Sequence, residues 1–279
     1  MTSFQFTITD GSVTGIAVTH GDRTQTLRIP TDATFAIGSG TITETITGAR
    51  GVQTLTFTQS ATDSATYTLA SSTLTITSPS VAVANGVERG YGFTIADGVV
   101  TAVREEVTVG SNSRAHDLKI SSTDSFTIAD GEITETRLHD NVVETITYVK
   151  PEGATLYAVA SVRSIYIDAG SATTHLSIHD QARISATVSD GSVSAVQAIS
   201  PSGAATALTT NRDVVFWQPE SGFIIETITR GSRANYEVFY DGGGDGVYTS
   251  VAHGVGATID LVGLKAQLDQ LDSALIALL

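Results

Sequence analysis

Apolar and polar residues alternate along this chain in short runs that restart roughly every thirty residues. In each run an aromatic residue is followed two positions on by an apolar one, then by a turn pair, then by an apolar residue seven positions after the first. The clearest copies are Phe6-Thr7-Ile8-Thr9-Asp10-Gly11-Ser12-Val13, Phe93 to Val100 with Asp97-Gly98, and Phe126 to Ile133 with Asp130-Gly131. Weaker copies start at Phe35 (Ile37, Ser39-Gly40, Ile42), Tyr67 (Leu69, Ser71-Ser72, Leu74), Ala186 (Val188, Asp190-Gly191, Val193) and Trp217 (Pro219, Ser221-Gly222, Ile224). The interval from Phe126 to Ala186 is double, with Tyr157-Ala158-Val159 near its middle, so the array reads as about eight units, one of them decayed.

The second half of a unit repeats as well. Ile42-Thr43-Glu44-Thr45 leads to Leu55-Thr56-Phe57, Ile133-Thr134-Glu135-Thr136 to Ile146-Thr147-Tyr148, and Ile224-Ile225-Glu226-Thr227 to Val238-Phe239. Period-two alternation is the mark of half-buried strands, and Asp-Gly between such runs is a hairpin signal because glycine accepts positive φ freely. The expected fold is all-β, built of tandem antiparallel hairpin or meander units. A solenoid, a sandwich and a barrel share this alternation and stay open. One face should carry Phe126, Ile128 and Ile133, the other a lawn of threonines such as Thr127, Thr134 and Thr136. Pro219, inside a copy, predicts an edge or bulged strand.

After Asp260 the pattern changes. Leu261, Leu264, Leu268, Leu271, Leu275 and Leu278 recur at alternating intervals of three and four, predicting an amphipathic helix with Asp260 as N-cap. The chain thus divides into a β-repeat array (1–240), a Gly/Asp loop with a last strand (241–259) and a C-terminal helix (260–279). That helix reads in three ways: a cap on the array, a subunit seam, or an export signal.

Composition narrows the function. A formal net charge of −14 disfavours nucleic acid and anionic membranes as partners. With no cysteine there is no disulfide, thiolate metal site or thiol nucleophile. The N-terminus enters the first copy directly, without a signal-peptide pattern, and no segment is long and apolar enough to insert in a membrane.

Candidate chemistry is sparse. Tyr240-Asp241-Gly242-Gly243-Gly244-Asp245-Gly246-Val247 resembles the start of a calcium loop, with Asp241, Gly243, Asp245 and Val247 as the ligand positions that resemblance implies. Gly243 stands where an Asp or Asn is usual, and His253 where the closing Glu would be. A glycine-rich turn between two strands is the plainer reading. The Asp-Gly turns at Asp10, Asp97, Asp130 and Asp190 could stack carboxylates along an edge. The pairs His116-Asp117, His139-Asp140 and His179-Asp180 should not form dyads, since neighbours in a strand face apart. His175 and His179 read as solvated. Glu44, Glu135 and Glu226 recur at equivalent places, which points to a repeated face rather than to a catalytic pair, so an enzyme is not expected.

Acidity, absence of cysteine, absence of an N-terminal signal and the apolar end Ala274-Leu275-Ile276-Ala277-Leu278-Leu279 together resemble type I-secreted, RTX-like bacterial surface-layer and biofilm-matrix proteins. That resemblance implies an extracellular structural protein, at the cell surface or in a biofilm matrix, that self-assembles with calcium as cofactor and itself as partner in a surface layer, matrix or filament. The alternatives are an adhesin or carbohydrate-binding module taking surface or matrix polysaccharide, for which the discriminating feature is whether Tyr91, Tyr166 and Tyr236 line one open face, and a phage fibre or other virion component.

Overall fold

At the Asp-Gly turns the backbone takes the left-handed conformation that a two-residue hairpin needs. Asp10 and Gly11 lie at φ 50° and 74°, Asp97 and Gly98 at 52° and 78°, Asp130 and Gly131 at 51° and 79°. The computed structural model describes residues 2–83, 87–168, 170, 172–178, 182–189, 191–200, 203–231, 233–256 and 258–276. Asp190, His179, Asp180 and Leu278 of the sequence reading lie outside these.

The strands group into three modules of one design. In the first, β1 (Thr2–Thr9), β2 (Ser12–His20) and β3 (Arg23–Leu27) form a meander, β4 (Ala33–Gly38), β5 (Thr41–Gly48) and β6 (Gly51–Gln59) form another, and β7 (Tyr67–Ile76) runs between them. The sheet order is β4-β5-β6-β7-β1-β2-β3, with Phe4 opposite Tyr67 at the junction. The second module begins with the short β8 (Ala82–Val83), which pairs with β9 (Val87–Ala96); β10 (Val99–Val109) and β11 (Asn112–Leu118) complete that meander. It continues with β12 (Ser125–Ala129), β13 (Glu132–His139), β14 (Val142–Val149) and the joining strand β15 (Ala158–Tyr166), and a bridge from Tyr91 to Tyr157 takes the place of the Phe4–Tyr67 pair. In the third, β16 (Arg183–Ser189), β17 (Ser192–Ile199), β18 (Ala205–Ala207), β19 (Val214–Trp217), β20 (Phe223–Arg230), β21 (Arg233–Tyr240) and β22 (Val247–Val255) take the order β19-β20-β21-β22-β16-β17-β18. The chain ends in α1 (Leu261–Ile276).

The repeat reading holds, as all-β antiparallel sheets with a C-terminal helix and no closed barrel. Its count resolves differently: among the described residues there are six meanders and three joining strands. Tyr67–Ile76 is one unbroken strand with no turn at Ser71-Ser72, and the Tyr157 copy is likewise a single strand. The larger period is about 91 residues. Ile42, Ile133 and Ile224 correspond, as do Phe57, Tyr148 and Phe239. The first hairpin of each module carries the same register shift, at Thr7/Ile8, Val100/Ala102 and Thr187/Val188. A hydroxyl fastens each: Thr14 donates to the Thr7 carbonyl (3.3 Å), Thr101 to Thr94 (3.2 Å) and Ser194 to Thr187 (3.2 Å). β19 lies at a sheet edge, as Pro219 predicts.

Each module folds its two meanders toward each other around an apolar interior; in the second, β8 to β11 form a separate four-stranded sheet. In the first module Phe4, Phe6 and Phe57 meet edge to face at 4.9–5.0 Å, a favourable arrangement of ring quadrupoles. In the second, Val103, Ile133 and Tyr148 are buried with Phe93 and Phe126; in the third, Ile184, Val196, Ile224 and Phe239 are.

The first two modules share a seam. β7 pairs with β15 from Ser71–Ile165 to Thr75–Ser161, with Thr73 opposite Arg163. Leu69 and Val159 correspond, each opposing the aromatic that repeats between modules (Phe57 or Tyr148), so Thr73 and Arg163 correspond too. The seam is a local pseudo-two-fold axis.

Outer faces differ. Thr43 opposes Thr56 and Thr134 opposes Thr147, but in the third module the pair is Ile225 and Val238. There α1 lays Leu264, Leu268, Leu271 and Ala274 on the sheet, and Val143 of the second module joins the same core. Asp260 caps α1, accepting from the Gly263 amide (2.9 Å) and from Thr173 (3.0 Å). These bonds hold its carboxyl below the usual carboxylate range. Buried Gln267 accepts from the Leu176 amide (2.9 Å) and donates to the Thr174 carbonyl (2.9 Å), so its amide group pairs with the chain as a neighbouring strand would. Gln270 does the same with both backbone groups of Asp168. At Gly263 a Cβ would collide with Ala172, which explains a glycine inside a helix.

Candidate functional site

The equivalent glutamates sit inside three different modules. Glu135 is buried and fully paired: Arg137 donates from Nε and Nη2 to its two oxygens at 2.9 Å each, and the Tyr148 hydroxyl donates to Oε2 at 2.8 Å. Burial and then the Glu135 charge push the Tyr148 hydroxyl far up. In the first module Ile46 and Phe57 stand where Arg137 and Tyr148 would be. Glu44 therefore lies between Phe35 and Leu55 across the strands, and burial pushes its carboxyl above the usual range. In the third, Glu226 faces Glu237 across β20–β21, and burial, then that like charge, raise it.

Glu237 takes the place of Leu55 and Ile146, so this carboxylate pair belongs to one module alone. His253 continues the row on β22. The three residues line a cavity of about 390 Å³ with Tyr236 and Asn235. Arg137 was not singled out in the sequence, although its place two residues after Glu135 puts both on one strand face. The Glu226–Glu237 pair needs the β20–β21 register to be found.

The calcium-like loop closes on itself. Asp241 Oδ1 accepts from the amides of Gly244 (2.6 Å) and Asp245 (3.3 Å), and Oδ2 from Gly246 (2.9 Å). Asp245 Oδ1 accepts from Val247 at 2.9 Å. The two carboxylates lie on either side of Gly243, where a Cβ would sit 3.9 Å from Asp245 Cγ and 4.0 Å from Asp241 Oδ1. Their oxygens serve the loop's own amides, which fits a turn better than an oxygen cage for a cation. Among the described residues no group of three or more His, Asp or Glu side chains could hold a metal.

A larger cleft, about 750 Å³, opens where the first two modules meet the segment before α1. Phe4, Leu69, Tyr166, Asp140, Asn141 and His175 line part of it. The three tyrosines whose placement on one open face would mark a binding module are dispersed: Tyr91 packs on Tyr148, Tyr236 against the helix core, and Tyr166 in the cleft. His139 Nε2 lies 3.6 Å from Asp140 Oδ2, against the expectation for strand neighbours, because Asp140 is a left-handed turn residue at φ 49°. His116 meets Glu105 at 3.3 Å rather than Asp117. His175 is exposed, as expected.

No protein-family model matches the chain, and no curated protein matches it. A crystal structure of a protein from Lactobacillus plantarum aligns over 92% of this chain and 96% of that one, at 9% identity and a TM-score of 0.17. A likeness of that size carries no argument about fold or function.

Proposed function

We propose that this protein is an extracellular structural protein whose copies assemble into a surface layer, matrix or filament. The observation that carries the reading is the β7–β15 seam: two modules of one design already join by backbone pairing, through the halves of corresponding joining strands that their own meanders leave unpaired. Backbone pairing of that kind is indifferent to whether the next strand comes from the same chain, and uncovered sheet edges template it. The strong negative charge and the absence of cysteine enter only through the resemblance to type I-secreted proteins, which carries the extracellular part of the reading.

A second reading, a polysaccharide-binding module, is favoured by the 750 Å³ cleft, which sets Phe4 and Tyr166 beside Asp140 and Asn141. Ring faces and polar tips in one concavity suit a sugar.

Negative-stain electron microscopy of the purified protein, in millimolar calcium and in EGTA, separates the two. Ordered filaments or sheets are expected in calcium. Their survival in EGTA would assign assembly to strand edges alone, and their loss would bring the Asp241–Asp245 loop back as a cation site. Monodisperse particles in both conditions would overturn the structural reading and direct attention to glycan binding at the cleft.

A further inference from the structure

Through the β7–β15 seam, eight strands run as one antiparallel sheet in the order β4-β5-β6-β7-β15-β14-β13-β12. Its two ends are corresponding strands: Phe35 and Ile37 of β4 match Phe126 and Ile128 of β12. Gly38 opposes Thr41, and Ala129 opposes Glu132, across two-residue turns. Each of these is therefore a closely bonded pair, and the bonded residues alternate from there along the strand. Hence Phe35, Ile37, Phe126 and Ile128 turn their N–H and C=O groups away from the sheet, into the free edge.

Edges that proteins leave uncovered are usually blunted by charge, proline or a bulge. Neither β4 nor β12 carries a charged residue or a proline, and neither hairpin has a register shift. The opposite edges of these two modules are blunted: β3 carries Arg23, and β11 carries Arg114, His116 and Asp117. The third module supplies the contrast. Its strand of the same kind, β19, stops at Trp217, and Pro219 occupies the place of Ile37 and Ile128. Proline has no amide to offer there, so that edge ends where the other two stay open.

We infer that β4 and β12 are the seams through which a second copy of this chain adds to the sheet, β12 of one copy against β4 of the next. The inference rests on the self-assembly proposed above and names its surface. Strand parity suits it: eight is even, so β12 of an added copy meets β4 antiparallel and every copy presents a new free end. A contact between two different surfaces that does not close on itself propagates a filament.

The test is the double variant Ile37→Pro, Ile128→Pro in the full chain. Each substitution removes an outward amide and no ladder bond, from a side chain that is 40% or 38% exposed. The third module already tolerates the proline. Thermal unfolding should stay cooperative, while the pelleted fraction on ultracentrifugation falls at least tenfold and filaments vanish from negative stain. The pair Ala36→Lys, Thr127→Lys, which charges both edges at exposed positions, gives the same reading if the prolines unfold the hairpins. Filaments from either folded variant at wild-type yield would overturn the seam and leave self-assembly standing. A wild-type protein that stays monomeric would overturn both.

Discussion

In the first two modules the outer face of the central hairpin shows Thr43 with Thr56 and Thr134 with Thr147; in the third, the same places hold Ile225 and Val238, and a helix lies over them. The backbone scarcely changes between these cases. The joining strand recurs, and so do the register shift of the first hairpin and a second one beside the joining strand, at Thr56/Phe57, Thr147/Tyr148 and Val238/Phe239. A threonine and an isoleucine or valine are both β-branched, so either suits an extended strand. The hydroxyl alone decides whether the face prefers water or a partner. The module design is thus kept by the inner face, while the outer face and the free edge are left to be specialised one residue at a time.

That comparison breaks most sharply at the helix. Leu268→Ala should cost about 2–5 kcal/mol by leaving a cavity between α1 and the sheet. In urea, Trp217 fluorescence in the third module should report an earlier transition than far-ultraviolet circular dichroism of the whole chain. Coincident transitions would show that the helix stabilises all three modules together.

Ile225→Thr, which restores the residue of the other modules, should cost about 2 kcal/mol by placing a hydroxyl under the helix without a partner. The reverse exchange, Thr43→Ile in the first module, should change the unfolding free energy from urea titration by roughly 0.5 kcal/mol or less, as substitutions away from a packed site do. Similar costs for the two would remove the distinction between the faces.

The inner face offers its own contrast, between a paired and a lone carboxylate. Glu135→Gln removes the nearer of the two carboxylates on Arg137, leaving Glu144 at 3.7 Å, and should destabilise by about 2 kcal/mol, less than for a deeply buried pair because Arg137 is 35% exposed. Glu44→Gln should have the opposite sign and the smallest size, a gain of about 1 kcal/mol at pH 7. Burial raises the folded-state pKa of Glu44, so folding binds its proton more tightly. Stability from this group falls as pH rises through the interval between its ordinary and its raised pKa, and returns on acidification. Urea midpoints at pH 7 and pH 4 check it: the advantage of the glutamine should shrink in acid.

Turns and faces were legible because each rests on a local rule. Glycine after aspartate needs little context, and period-two alternation separates Ile133 from Thr134 wherever the strand lies. The joining strands were not, since Ser71-Ser72 are turn-forming residues by type and only their pairing with Thr56 and Leu55 on one side and with Ile165 and Ser164 on the other shows that the chain runs straight. The asymmetry of the glutamates was hidden for a similar reason. What decides Glu44 or Glu135 is whether residue 46 or 137 is isoleucine or arginine, a change outside the repeated motif. Asp260 and the leucines of α1 announced themselves, but Gln267 and Gln270 bond to the backbone of Asp168, Thr174 and Leu176, where no periodicity points to a partner.

In every module the strand that lies between the two meanders is the last one in the sequence. A growing chain can therefore fold its hairpins early, each from residues close together, while the interior that unites them must wait. Residues 2–59 by themselves would be two meanders with nothing between them, and Tyr67–Ile76 is the wedge that locks them. The order of synthesis sets a clock: each module stays unlatched until its final ten or so residues emerge, and then closes at once.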